Sequence, residues 1–433
     1  MTIVLIISAK FSICFCILIG RMYWDLNYIS SINIIMPIFN LLKQKDFRLF
    51  IIGNSINELA FMSRLTAIGW LSYEISDSAM FVGLVATSAS LSMSIFSFFG
   101  GVLADKISKP KLIFVSKFIE SFIILFTAFL IQSDKLNELS LLILMFCMGI
   151  MAALYIPSRM GFVKELVGAR LLLSANAVDF GFMTLVGAFT PAITGLIIEN
   201  FSVQISLYFS FFAYSIHNII ILFLRNKGIV YKIRNQLKIV ESIRFILRLN
   251  IVQYLLLMML AVAILVWGLE TLAPVIAKDI FELGPTGFGI LLSIGSLGAT
   301  ISSFSIASFN DLNINKLLFS SLVGAGISLI VFAFVNNYVL GIAIFGLIFA
   351  FGAASENAVS TLTQNSVPDS MRGKVISLQT LTWGFSGLSG LLGGYLSEIY
   401  SIQIVIFCAG ILIIFFTPIV KPIAINSQRM KIM

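Results

Sequence analysis

The sequence predicts an all-α integral membrane protein of twelve transmembrane helices in two six-helix bundles. Three observations carry that prediction: a composition too apolar for water, a series of apolar runs of bilayer-crossing length, and a weak internal repeat. Of 433 residues, 59% are hydrophobic and only 11% are charged, and the mean hydropathy is +1.04. A soluble chain carries about 25% charged residues, so most of this surface must face lipid. Lipid offers the backbone no hydrogen bonds, which leaves helices or closed barrels. The apolar runs are long and continuous instead of alternating, and that selects helices.

Taken in order, the runs cover 48–73, 79–103, 112–132, 138–157, 174–198, 203–224, 251–274, 286–308, 316–335, 338–360, 375–398 and 401–420. Each holds roughly the 20 residues a helix needs to cross the hydrocarbon core. Residues 1–42 precede them as an extension whose apolar start is interrupted by Lys10; a dispensable segment is expected rather than a thirteenth span. Spans one to six form a first bundle over 43–224, and spans seven to twelve a second over 251–420. Between them, 225–250 carries seven basic residues against Glu241 alone, with Ile239, Ile243 and Ile246 on one helical face. Such a segment suits an amphipathic helix at the anionic inner leaflet, or a plain solvated linker. Residues 421–433 form a polar tail.

Basic residues fix the expected orientation. With the start of the twelve-span body in the cytoplasm, 22 Lys and Arg fall in cytoplasmic segments and only Lys135 and Lys278 on the other side. The positive-inside rule then places both ends of the body in the cytoplasm of a multi-pass plasma (inner) membrane protein. The net charge of +8 is accounted for in this way, and no basic soluble domain suggests nucleic acid. Four cysteines in apolar surroundings and one histidine give no metal-ligand spacing. No cofactor is expected. The chain contains no G-x-x-x-x-G-K-[ST] loop, so an ion gradient rather than ATP is the expected energy source.

The repeat is visible at two offsets. Gly195, Glu199, Ser202 and Ile205 match Gly394, Glu398, Ser401 and Ile404 at 199 residues, and Gly83 and Asp105 match Gly289 and Asp311 at 206. Duplication with one small insertion or deletion explains both. Parallel six-span repeats place a substrate site near the bilayer midplane, between the halves.

The loop after span two reads Gly100-Gly101-Val102-Leu103-Ala104-Asp105-Lys106-Ile107-Ser108-Lys109-Pro110-Lys111. It resembles the signature loop of the major facilitator superfamily, and the matching loop of the second half keeps Asp311 without the basic residues. The stretch Pro157-Ser158-Arg159 to Glu165-Leu166-Val167 is similar to the segment after span four in the enterobactin-exporter and macrolide-efflux branch. Ser63-Arg64, Trp70 to Ala79, and Val367 to Val375 resemble that branch as well. Span five holds Gly187 to Gly195 around Pro191, similar to the family's antiporter motif but with Thr190 and Thr194 in place of two glycines and Val186 at the first one; a plain proline kink with small-residue packing explains the stretch equally. The resemblance implies the major facilitator fold and a latch for alternating access built from Gly101, Asp105, Lys106 and Arg159.

Charges inside apolar spans cost about 2.5–3.5 kcal/mol each by insertion scales, so they face cavities or partners. The charges within the runs are Glu58, Arg64, Lys117, Glu120, Asp179, Glu270 and Glu356. Glu58, Arg64, Asp179, Glu270 and Glu356 are the candidates for transport and coupling. Arg64 and Glu270 are repeat mates at 206 residues, and an ion pair across the cavity is expected between them. Glu58 lies six residues from Arg64 and so on another helix face. Asp179 and Glu356, towards the cytoplasmic ends of their spans, are alternative proton sites. His217 reads as a hydrogen-bonded packing residue.

The functional expectation is a monomeric secondary transporter, not an enzyme, that exports a small amphiphilic molecule of the drug or siderophore type in exchange for protons. Forty phenylalanines suit an aromatic-tolerant cavity. A nutrient importer on the same fold is the alternative. A membrane enzyme lacks its catalytic cluster here, and a receptor lacks a soluble signalling domain.

Overall fold

A computed structural model of the chain describes residues 41, 43–224, 250–307, 313–367, 379, 382 and 385–419. The extension over 1–40, the linker over 225–249, Asp311 and the tail lie outside the described residues. Within them the first half contains α1 (Lys45–Ser76), α2 (Ala79–Lys106), α3 (Lys109–Gln132), α4 (Glu138–Asn200) and α5 (Val203–Phe223). The second half contains α6 (Asn250–Leu265), α7 (Gly268–Val275) with a π turn at Ile276–Ile280, α8 (Pro285–Ala307) and α9 (Ile314–Phe332). It ends with α10 (Tyr338–Asn365), α11 (Ser386–Ile399) and α12 (Ile402–Phe416). No strand occurs among the described residues.

Nine helical stretches among the described residues are long and apolar enough to cross a membrane. Three expected spans fall outside that set for different reasons. Helix α1 is 32 residues long, but Asp46, Arg48, Glu58, Arg64 and Glu74 make it too polar. Helices α11 and α12 are described over only 14 and 15 residues.

Span four ends later than expected. Pro157 does not stop it; the helix continues to Gly168, whose φ of 75° breaks α4 into two spans, Glu138–Gly168 and Ser174–Asn200. Pro157 has no N–H to offer the Ala153 carbonyl. Gly100 of α2 packs directly against that carbonyl, where a Cβ would collide. A proline inside a membrane helix is thus accommodated by a close neighbour.

The core divides along the sequence. One cluster joins Ala60, Ile68, Phe81, Ile124, Met145, Leu207 and Tyr214 of the first half. The other is drawn mainly from the second half, including Leu255, Val262, Leu291, Leu322, Phe345 and Ile406, with Tyr73, Ala79 and Val82 reaching into it. The halves touch chiefly where α2 packs on α11 and where the second part of α4 packs on α8.

The repeat explains these two seams. A Cβ on Gly83 would collide with the backbone of Gly390, and one on its mate Gly289 with the carbonyl of Pro191. Likewise Gly195 lies against the carbonyl of Pro285, and its mate Gly394 against that of Ala79. Small residues let the backbones approach this closely, and the chain builds the same joint twice. Ser202 and Ser401 have a second duplicated role. Each caps the following helix by accepting the N–H of Ile205 (3.3 Å) or Ile404 (3.4 Å).

Candidate functional site

Five charges of the first half, Arg64, Lys117, Glu120, Arg159 and Asp179, belong to one connected network. On α3, Lys117 donates to Glu120 across 2.7 Å, one helical turn away. The other oxygen of Glu120 accepts the Tyr214 hydroxyl at 3.0 Å and lies 3.7 Å from Arg64 Nε. Lys117 also sits over the rings of Tyr155 (4.0 Å) and Tyr214 (5.0 Å), which hold its ammonium by cation–π attraction. The Tyr155 hydroxyl donates to Asn54 (2.8 Å), and the Asn54 amide donates to Asp179 (2.5 Å). Arg159 closes the chain with a 2.6 Å bond to the second Asp179 oxygen.

Glu58 stands apart from these pairs. It is only 7% exposed and has no ion-pair partner among the described residues. Its Oε1 fits against Gly187 of α4, where a Cβ would sit 3.8 Å away. The charges that act on it are Arg159, Lys117, Asp179 and, from the other half, Glu270. Arg64, Lys117 and Arg159 supply three positive charges, while Glu120 and Asp179 supply two negative ones.

The expected Arg64–Glu270 pair is not formed. Arg64 turns to Glu120 within its own half, because a partner one neighbouring helix away is nearer than any across the seam. Glu270 instead occupies the first turn of α7, directly after the helix break at Val266–Trp267. The backbone N–H groups of Val266, Trp267, Leu269 and Glu270 are already bonded to carbonyls of the preceding turn, and no ion-pair partner for Glu270 occurs among the described residues. Asp179 is engaged by Asn54 and Arg159 and is therefore a structural partner rather than a free carboxylate. Glu356 is half-buried on α10 and has an interaction of its own.

The expected latch residues are described only in part. Arg159 bonds Asp179 inside the bundle. A Cβ at Gly101 would meet nothing within 4 Å, so the close approach belongs to Gly100. Lys106 is exposed, and the Asp105 side chain lies outside the described atoms. The loop is anchored by Lys109, which is buried and paired with Glu165 of α4. This pair joins the two motifs that the resemblance rested on.

Glu120 and Lys117 were visible in the sequence as charges within a span, and their spacing of three was the available signal. Tyr155 and Tyr214 carried no such signal, since only the packing of four helices brings them to the network; Asn54 stood out only by its helical spacing to Asn57 and Glu58. His217 bonds the Gly53 carbonyl at 2.7 Å through Nδ1, in keeping with a packing role.

Apolar helices, glycine seams between two halves and a charge network buried in one of them define a multi-pass membrane transporter. The chain belongs to the major facilitator family described as transmembrane secretion effectors, which matches residues 37–430. It is 23% identical over 370 residues to the staphyloferrin A transporter of Staphylococcus aureus (strain NCTC 8325 / PS 47), covering 82% of this chain and 89% of that one. It is 22% identical over 405 residues to the MFS-type transporter YfiS of Bacillus subtilis (strain 168), covering 87% and 92%. Among solved structures, the POT family transporter PepTSo superposes with a TM-score of 0.72 at 11% identity, over 89% of this chain and 99% of that one. An inward-facing, unoccupied bacterial homologue of the lysosomal transporter Spinster gives 0.69 at 13% identity, over 89% and 98%. At these identities the structures establish the fold alone. The family and these neighbours are transporters, not enzymes.

Proposed function

We propose that the protein exports a small amphiphilic molecule of the drug or siderophore type in exchange for protons, by alternating access between two six-helix bundles. The observation that carries this reading is Glu58, a carboxylate buried in α1 without an ion-pair partner among the described residues. An unpaired charge in an apolar span is expensive, and a bound proton removes that cost. Glu58 is therefore the coupling carboxylate in this scheme, with Glu270 facing it from the second bundle. The name of the staphylococcal relative supports the siderophore side of the substrate class. The twelve-span topology with cytoplasmic ends in the plasma membrane follows from the distribution of Lys and Arg.

The test is transport in sealed proteoliposomes with an imposed pH gradient, using a panel of siderophores, macrolides and organic cations. Substrate movement opposite to the proton gradient, abolished by a protonophore, is the expected result. Movement in the same direction as protons would replace export by import. Movement indifferent to the gradient would remove the proton from the scheme.

A further inference from the structure

Two carboxylates singled out only as repeat mates bridge the halves at the ends of the glycine seams. Glu199, at the end of α4, accepts the backbone N–H of Thr286 in the first turn of α8 at 3.0 Å. Glu398, at the end of α11, accepts the backbone N–H of Met80 in the first turn of α2 at 3.0 Å and the Ser78 hydroxyl at 2.5 Å. Ser78 is itself the N-cap of α2, accepting the Phe81 N–H at 3.1 Å. Donors and acceptors both obey the repeat, Met80 with Thr286 and Glu199 with Glu398. Each half thus places a negative charge on the positive end of a helix in the other half.

The geometry points to Glu199 and Glu398 as paired pins of the gate on the α1–α2 side, holding that side closed and releasing in each cycle. Both lie one turn beyond a seam glycine, Gly195 or Gly394, so opening the seam must break both bonds. Both side chains are exposed, so water takes over their hydrogen bonds when the seam parts. That makes release cheap enough to recur, which a buried pair such as Lys117–Glu120 would not allow. Other cross-half contacts on this side are Lys278 with Asp77 (2.8 Å) and Tyr73 with Asp279 (2.7 Å). The Lys278 and Asp77 side chains are 44% and 78% exposed, a surface pair that adds little, and the Lys278 ammonium also lies 4.7 Å from the centre of the Tyr73 ring. The two carboxylates differ from it in being charge-assisted bonds to backbone amides, fixed in direction by the helix that presents them.

This inference rests on alternating access but not on the substrate or the proton. Its test therefore reads the gate directly. Thr87 of α2, buried and four residues beyond Gly83, donates to the Gly387 carbonyl across the seam. In a background without native cysteines, Thr87→Cys reacts with a membrane-impermeant maleimide from the α1–α2 side only when the seam opens. Glu199→Gln and Glu398→Gln keep size and an acceptor oxygen but lose the charge. Each should raise the alkylation rate about threefold, and both together about tenfold, as expected for two independent exposed helix-end charges. A control cysteine at exposed Phe201 should react at an unchanged rate. Parental rates in both single variants would overturn the proposal. So would a lowered melting temperature without faster alkylation, because the carboxylates would then serve stability alone. The single variants suffice if the double variant does not insert.

Discussion

At the scale of single residues, the decisive question is which buried charges are paired. Lys117, Glu120 and Arg64 share one site, so they resist substitution as a unit. Arg64→Ala and Glu120→Ala should be strongly non-additive in a double-mutant cycle on transport or melting temperature, with a coupling of about 0.5–3 kcal/mol. Arg64→Ala and Glu270→Ala should instead add, since the two side chains do not meet. Strong coupling in the second cycle and none in the first would restore the pairing read from the repeat. Glu58→Gln carries the functional weight. It should reduce pH-driven transport by about tenfold or more, equivalent to roughly 1.4 kcal/mol, while leaving exchange at equal pH largely intact. Equal losses in both assays would place Glu58 in folding or substrate binding, outside proton coupling.

At the scale of elements, the structure depends on close helix approach and on one buried clamp. Valine at Gly83 or Gly289 would force apart backbones that now touch, at the Gly390 and Pro191 positions respectively. Overpacking of this kind costs about 1–3 kcal/mol. Because the seam must close in every cycle, Gly83→Val and Gly289→Val should each lower transport by about tenfold, with protein still present in the membrane. Wild-type rates would show that the seam need not close. The Lys109–Glu165 clamp behaves differently. Removing only the lysine takes the cation from a buried carboxylate, at a cost of up to about 3–5 kcal/mol. Lys109→Ala should therefore melt markedly earlier in detergent, and Lys109→Leu with Glu165→Leu should recover much of the loss. If the pairwise replacement melts as early as the single one, the clamp is not the source of stability.

At the scale of the whole molecule, duplication accounts for most of the architecture. The same glycine, glutamate and serine recur at the same points of each half, and each now has a physical role. The glycine admits a neighbouring backbone, the glutamate reaches the opposite half, and the serine starts the next helix. Topology is tested by cysteine labelling. A cysteine at Lys135 should react with an impermeant reagent from outside, and one at Lys232 only from inside. The reverse pattern would invert the proposed orientation, and labelling of both from one side would break the even span count.

Sequence alone determined that this chain is helical and lipid-facing, because apolar length and the unmet hydrogen bonds of a lipid-exposed backbone admit few alternatives. It also exposed the duplication, since seam glycines and helix caps tolerate few residue types and so leave matching letters. Side-chain pairing was decided elsewhere. Arg64 had a repeat mate at Glu270 but a nearer partner in Glu120, and linear spacing carries no information about which neighbouring helix lies closest. Arg159 read as part of a cytoplasmic loop because Pro157 looked like a helix end. Only the continuation of α4 to Gly168 carries it to Asp179. Tertiary packing thus settled which charges neutralise one another and left Glu58 without an ion pair among the described residues, because electrostatic pairing depends on distances of a few ångströms between helices.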